Sequence, residues 1–155
     1  MNKEERYLQL VEQVRVLVDG EDDAVAVMAN VSAALHEAMG FWWTGFYVVR
    51  NGQLRLGPFQ GPVACTRIAH GRGVCGTAWA SNATVLVPDV EQFPGHIACS
   101  SDSRSEIVVP VRDDTGTVQA VLDIDSRELN SFDNIDQHYL ERVADIVAQV
   151  VCKPY

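Results

Sequence analysis

Apolar residues at Tyr7, Leu10, Val11, Val14, Leu17 and Val18 recur at the spacing of one helix face, and Gly20 follows where a C-terminal glycine is expected. Asp22 and Asp23 then open a second helix, whose Ala24, Val27, Met28, Val31, Ala34, Leu35 and Ala38 form a stripe that stops before Gly40. From Phe41 the pattern becomes that of strands. FWWTGFYVVR is rich in aromatic and β-branched residues, Asn51-Gly52 is a two-residue hairpin signal, and QLRLGPF reads as the returning strand. VACTRIA, TVLVPDV, SEIVVPVR and TVQAVLDID supply further short strands, the last two joined by a tight turn at Asp113, Asp114, Thr115 and Gly116. After Ser131, the positions Ile135, Tyr139, Val143, Ile146, Val147 and Val150 predict a final amphipathic helix, with Asp133 and Asp136 placed to favour its N-terminal dipole. The expectation is an α+β chain with a largely antiparallel sheet: helices over 3–39, a sheet core over 41–126 and a last helix over 133–151, all in one domain.

Composition narrows the class. With 155 residues, 47% of them hydrophobic, the chain has the apolar content of one sizeable core. MNKEERYLQLVEQV carries charges where a secretory signal needs an apolar stretch, and no run approaches the roughly 18 apolar residues of a membrane span. A soluble, cytoplasmic protein is expected. Thiols stay reduced in that compartment, so the four cysteines read as buried, metal-binding or catalytic groups rather than as a structural disulfide framework. A net charge of -9 disfavours nucleic acid and anionic membrane as partners, and the twelve Lys and Arg form no run that would reverse this locally.

Gly71, Gly73 and Gly76 spell G-x-G-x-x-G, but the helix that could follow ends near Ser81-Asn82 and no complete βαβ unit frames it. A tight turn and close packing at the start of a short helix is the competing reading. Cys75 lies near that helix N-terminus, where the dipole would favour a thiolate, and equally on what reads as an apolar face with Val74, Ala78 and Trp79. Cys99 sits in the long polar loop EQFPGHIACSSDSRS, a position that favours a reactive thiol over a packed one. Cys65 is placed on a strand edge, as a core residue or as the partner of another thiol. Cys152 reads as incidental. No C-x-x-C pair exists and the four histidines fall outside common ligand spacings, so no metal site is expected. Asp123 and Asp125 alternate around Ile124 and share one strand face; with Glu106 they read either as a solvated acidic edge or as a cradle for an ammonium group, in which a protonated member could act as general acid. Trp43 and Tyr47 read as strand aromatics or as an aromatic wall around a methyl or ammonium group.

Taken together, WTGFYVV, LGPFQGPVACTRIAHGRGVCGTAWA, GHIACSSDSRSEIVVPV and VLDIDS resemble the free methionine-(R)-sulfoxide reductases, which are single GAF domains. The resemblance implies a six-stranded, mostly antiparallel sheet flanked by helices. By that resemblance, Cys99 is the catalytic cysteine, Cys65 the resolving cysteine and Cys75 the third thiol, with a part in recycling. Glu106, Asp123 and Asp125 hold the substrate amino group and assist protonation, and Trp43 with Tyr47 walls the sulfoxide methyl. It further implies free methionine sulfoxide as substrate, no prosthetic cofactor, and external thioredoxin as reductant; a homodimer is compatible with the fold. A GAF module that binds a small ligand or senses thiol redox state without catalysis is the competing expectation.

Overall fold

Side-chain caps set the helix boundaries. In the computed structural model, which describes residues 1–97, 99 and 101–153, Asn2 caps α1 (Lys3–Val18) and Asp23 caps α2 (Ala24–Met39), each accepting backbone N–H groups of the first turn. Gly40 ends α2 in the left-handed conformation. There follow β1 (Trp43–Arg50), β2 (Gln53–Gln60), β3 (Arg67–Ala69), α3 (Gly73–Ser81), β4 (Val85–Val87), a 3-10 turn (Val90–Gln92), β5 (Ser105–Arg112), β6 (Val118–Ser126) and α4 (Asn134–Val151). Asn51 and Gly52, both at positive φ, make the β1–β2 turn where the sequence places it. The α4 cap is a full capping box between Asp133 and Asp136, and Ile135, included in the apolar stripe by its spacing, is instead 37% exposed.

The six strands form one sheet in the order β3-β2-β1-β6-β5-β4, with every neighbouring pair antiparallel. Strand β6 is central, and from Ala120 its side chains divide strictly by parity. Ala120, Leu122 and Ile124 join Phe46, Ile107 and Val109 in a core closed by α1, α2 and α4. Val121, Asp123 and Asp125 face the other way, toward α3 and the long loops. One face of the sheet therefore builds the scaffold and the other is left for a site.

Two predicted strands are shorter than their apolar runs. TVLVPDV contributes only Val85–Val87, because Pro88 has no N–H to donate to the ladder. VACTRIA contributes only Arg67–Ala69, and Cys65 lies in the β2–β3 connection rather than on a strand edge. The backbone carbonyl that a strand would use at Cys65 instead accepts a hydrogen bond from the Tyr47 hydroxyl at 3.0 Å.

Helix α1 is fastened to α4 by one buried carboxylate. Asp136, 1% exposed, accepts hydrogen bonds from the Tyr7 hydroxyl, from Lys3 Nζ at 2.7 Å and from the Asp133 backbone N–H at 2.8 Å. Replacing it leaves a buried phenol without its acceptor and Lys3 with only the more exposed Asp133, 3.4 Å away. Asp136→Ala is expected to lose about 2–4 kcal/mol in urea denaturation, and Asp136→Asn about half of that, with the pocket chemistry described below unchanged.

Candidate active site

Strand register alone brings the three acidic residues together. Glu106 on β5 stands opposite Asp125 on β6, and on the other flank of β6 Asp125 stands opposite Trp43, and Asp123 opposite Gly45. Glu106 and Asp123 are 6% and 5% exposed, which excludes the solvated edge. Cys75, on the first turn of α3, comes down onto the same floor: its Sγ and one carboxylate oxygen each of Glu106 and Asp123 all lie within 4.8 Å of one another. Ser103 donates to Asp125 at 3.1 Å, and His96 Nε2 lies 3.9 Å from Glu106 Oε1. Among the described residues, His96 is the one basic group within 4.0 Å of these carboxyls.

Three carboxyls in hydrogen-bonding reach of one another cannot all be ionised in a buried site. Burial, followed by the charge of Asp123, pushes Glu106 and Asp125 well above the usual carboxylate range. Asp123 is raised by burial as well, but the Glu106, Cys75 and Asp125 side chains beside it favour its anion and work against that rise, so it is the member that most readily carries the negative charge. The same burial, with Asp123, Glu106 and Asp125 beside it, pushes the Cys75 thiol well up. The helix dipole at Cys75 is thus overridden, and this cysteine is a protonated, 4% exposed donor rather than a thiolate. His96 is lowered by burial despite the pull of Asp123.

An aromatic wall rises beside this floor. Trp43 stacks on Phe59, with ring centroids 5.1 Å apart, and on Tyr47 at 6.0 Å. Gly45 makes the stack possible, since a Cβ there would fall 2.3 Å from Phe59 Cβ and 2.8 Å from the Trp43 ring. Trp43 Nε1 donates to the Pro62 carbonyl at 2.9 Å and Tyr47 to that of Cys65, so the wall also anchors the β2–β3 connection. Burial and the facing acids push Tyr47 far above its ordinary value, which keeps its hydroxyl a donor.

The roof is a disulfide. Half-buried Cys65 and exposed Cys99 are bonded across 34 residues, with their Cα atoms 5.3 Å apart. The Cys99 loop is seated by Ile97, which lies over Gly73; a Cβ at Gly73 would sit 3.2 Å from two Ile97 atoms. A Cβ at Gly76 would likewise fall 2.5 Å from the Ala69 carbonyl oxygen, so the three-glycine run is a turn and a close packing of α3, not a dinucleotide loop. Floor, wall and roof enclose a cavity of about 60 Å³, room for a few waters.

A family model for the GAF domain matches residues 21–151. Over 151 residues the chain is 44% identical to the free methionine-R-sulfoxide reductase of Escherichia coli, covering 97% of this chain and 89% of that protein. This chain belongs to the family of the free methionine-R-sulfoxide reductases. The X-ray structure of the family member from Neisseria meningitidis, in complex with its substrate, is 50% identical with a TM-score of 0.95, covering 97% of this chain and 91% of that one. GAF domain-containing protein A of Dictyostelium discoideum is 54% identical over 147 residues, 94% of this chain and 92% of that protein.

All eight residues singled out from the sequence, Trp43, Tyr47, Cys65, Cys75, Cys99, Glu106, Asp123 and Asp125, line this cavity or, for Cys65, close it. Sequence reasoning misses His96 and Ser103 in its lining and Gly45 and Phe59 behind its aromatic wall. Only His96, three residues before Cys99, carries a signal of its own, as a titratable side chain in the same loop.

Because folding raises Glu106, the native state binds more protons than the unfolded chain. Its contribution to stability is complete below the ordinary carboxylate range near pH 4 and is lost as pH rises through the raised value. Glu106→Gln removes that loss. Thermal melts should show the variant matching the parent near pH 4 and melting at a higher Tm than the parent at pH 8.

Proposed function

We propose that this chain, as one domain, reduces free L-methionine (R)-sulfoxide to methionine in the reducing cytoplasm. The observation that carries this reading is the Cys65–Cys99 disulfide seated over a cavity with buried carboxyls for its floor and Trp43 and Tyr47 for its wall. A zwitterionic amino acid meets both needs of such a cavity. Its ammonium satisfies Asp123 and its neighbours, and its methyl group packs on the aromatic wall.

In the reduced enzyme the Cys99 thiolate attacks the sulfoxide sulfur while a protonated carboxyl, Glu106 or Asp125, delivers a proton to the oxygen. The S–O bond breaks with the oxygen leaving as water after a second protonation, which gives a Cys99–sulfonium adduct. Water then adds at the Cys99 sulfur, the S–S bond breaks with its electron pair going to the methionine sulfur, and a proton is released. Methionine departs reduced, and Cys99 is left as the sulfenic acid. Cys65 then attacks that sulfur, water leaves, and the disulfide forms. A thioredoxin-type dithiol reduces it by thiol–disulfide exchange and returns both thiols. Proton transfer and nucleophilic attack both come from side chains, so the cycle calls for no prosthetic group. Free and peptide-bound substrate are told apart by the amino group: a peptide residue lacks the ammonium and leaves buried acids unpaired. The preference for the R epimer follows from the family likeness.

The test couples NADPH consumption to thioredoxin, its reductase and free methionine sulfoxide, with methionine measured by chromatography. Cys99→Ser should release no methionine even in a single turnover. Cys65→Ser should release one equivalent and then stall. Asp125→Asn should lower kcat/KM by about 10²–10⁴. Steady turnover in Cys99→Ser, or NADPH oxidation without methionine, would refute the reading.

A further inference from the structure

Cys75 takes no part in the cycle above, yet it is the thiol most closely built into the pocket floor. Its Sγ, with one carboxylate oxygen from Glu106 and one from Asp123, forms a triangle with no side above 4.8 Å, and all three residues are at least nine-tenths buried. Asp123 Oδ1 is fully buried and has no hydrogen-bond partner. An ammonium group would engage the oxygens and leave the sulfur unused. One thiol and two carboxylates are instead the donor set of a borderline-soft divalent cation; hard ions such as magnesium or calcium take oxygen alone. Donors around a tetrahedral ion at the usual zinc distances stand roughly 3.3–3.8 Å apart, so the triangle needs to tighten by only about 1 Å. The three donors come from α3, β5 and β6, which is why no ligand spacing along the chain announces them.

We propose that Cys75, Glu106 and Asp123 form a binding site for a zinc-class divalent cation, and that an ion held there keeps the amino group of the substrate out of the pocket. Binding exchanges the thiol proton and any carboxyl proton for the metal, with no change in oxidation state. The exclusion of substrate rests on the reading under Proposed function; the metal site itself does not.

Cobalt(II) is the probe, because a thiolate bound to it gives a near-ultraviolet charge-transfer band that zinc then abolishes by displacement. Full-length protein, kept reduced with a phosphine rather than a thiol, should develop this band and saturate at one equivalent. The band should persist in Cys99→Ser and Cys152→Ser and vanish in Cys75→Ala. Asp123→Asn should raise the cobalt Kd at least tenfold, a second readout should Cys75→Ala fold poorly by circular dichroism. Excess free methionine should raise the apparent Kd in proportion to its concentration. No band, or a band that survives Cys75→Ala, would overturn the metal site; a band indifferent to methionine would overturn the exclusion of substrate and leave the site standing. Absence of turnover in the metal-free enzyme would count against the function alone and leave the cobalt result standing, whereas turnover that needs the added ion would overturn the exclusion of substrate.

Discussion

Three carboxyl groups share one buried patch of sheet, and they cannot all be charged there. Glu106, Asp123 and Asp125 meet because β6 runs antiparallel between β1 and β5, and the patch is buried because α3 and two long loops close over it. From this constraint the remaining features follow. At least one acid must keep its proton, which makes a proton donor available at neutral pH. At least one is an anion in need of a cation, which makes the cavity selective for groups that bring one. Burial and the same acids keep Cys75 protonated, whereas Cys99, which lines the same cavity, is carried by an exposed loop.

The two faces of the sheet divide the work. The helix-covered face is mostly apolar, with Thr44 of β1 a buried polar exception, and the packing holds it in one register. That rigidity fixes the positions of acids and aromatic rings on the opposite face. The two sulfurs of the disulfide are carried by connections instead, Cys65 between β2 and β3 and Cys99 between the 3-10 turn and β5. Tyr47 joins the two levels, with its ring in the wall and its hydroxyl on the Cys65 carbonyl.

Much of this was legible in the sequence where a local pattern carried it. Helix stripes, their caps and the Asn51-Gly52 turn came from periodicity and turn chemistry, and the parity of Asp123 and Asp125 came from the strand repeat. What the pattern could not tell was which side of β6 would be solvated. Paired acids beside a turn look the same whether water or α3 lies above them, and only tertiary packing decides. Cys65 was misplaced on a strand because its apolar neighbours suggest one, while the hydrogen bond that takes its carbonyl comes from a tyrosine 18 residues away. Gly45 and Phe59 were invisible for the same reason: their part is played across a strand pair.

The alternation along β6 has a further consequence. Ala120, Leu122 and Ile124 belong to the scaffold while Asp123 and Asp125 belong to the chemistry, so inserting or deleting a single residue ahead of them would exchange the two sets. Acids would then be driven among the helices and leucine into the pocket. Folding and activity are thereby locked to one frame, and length variation in this family should be confined to the loops and absent from this strand.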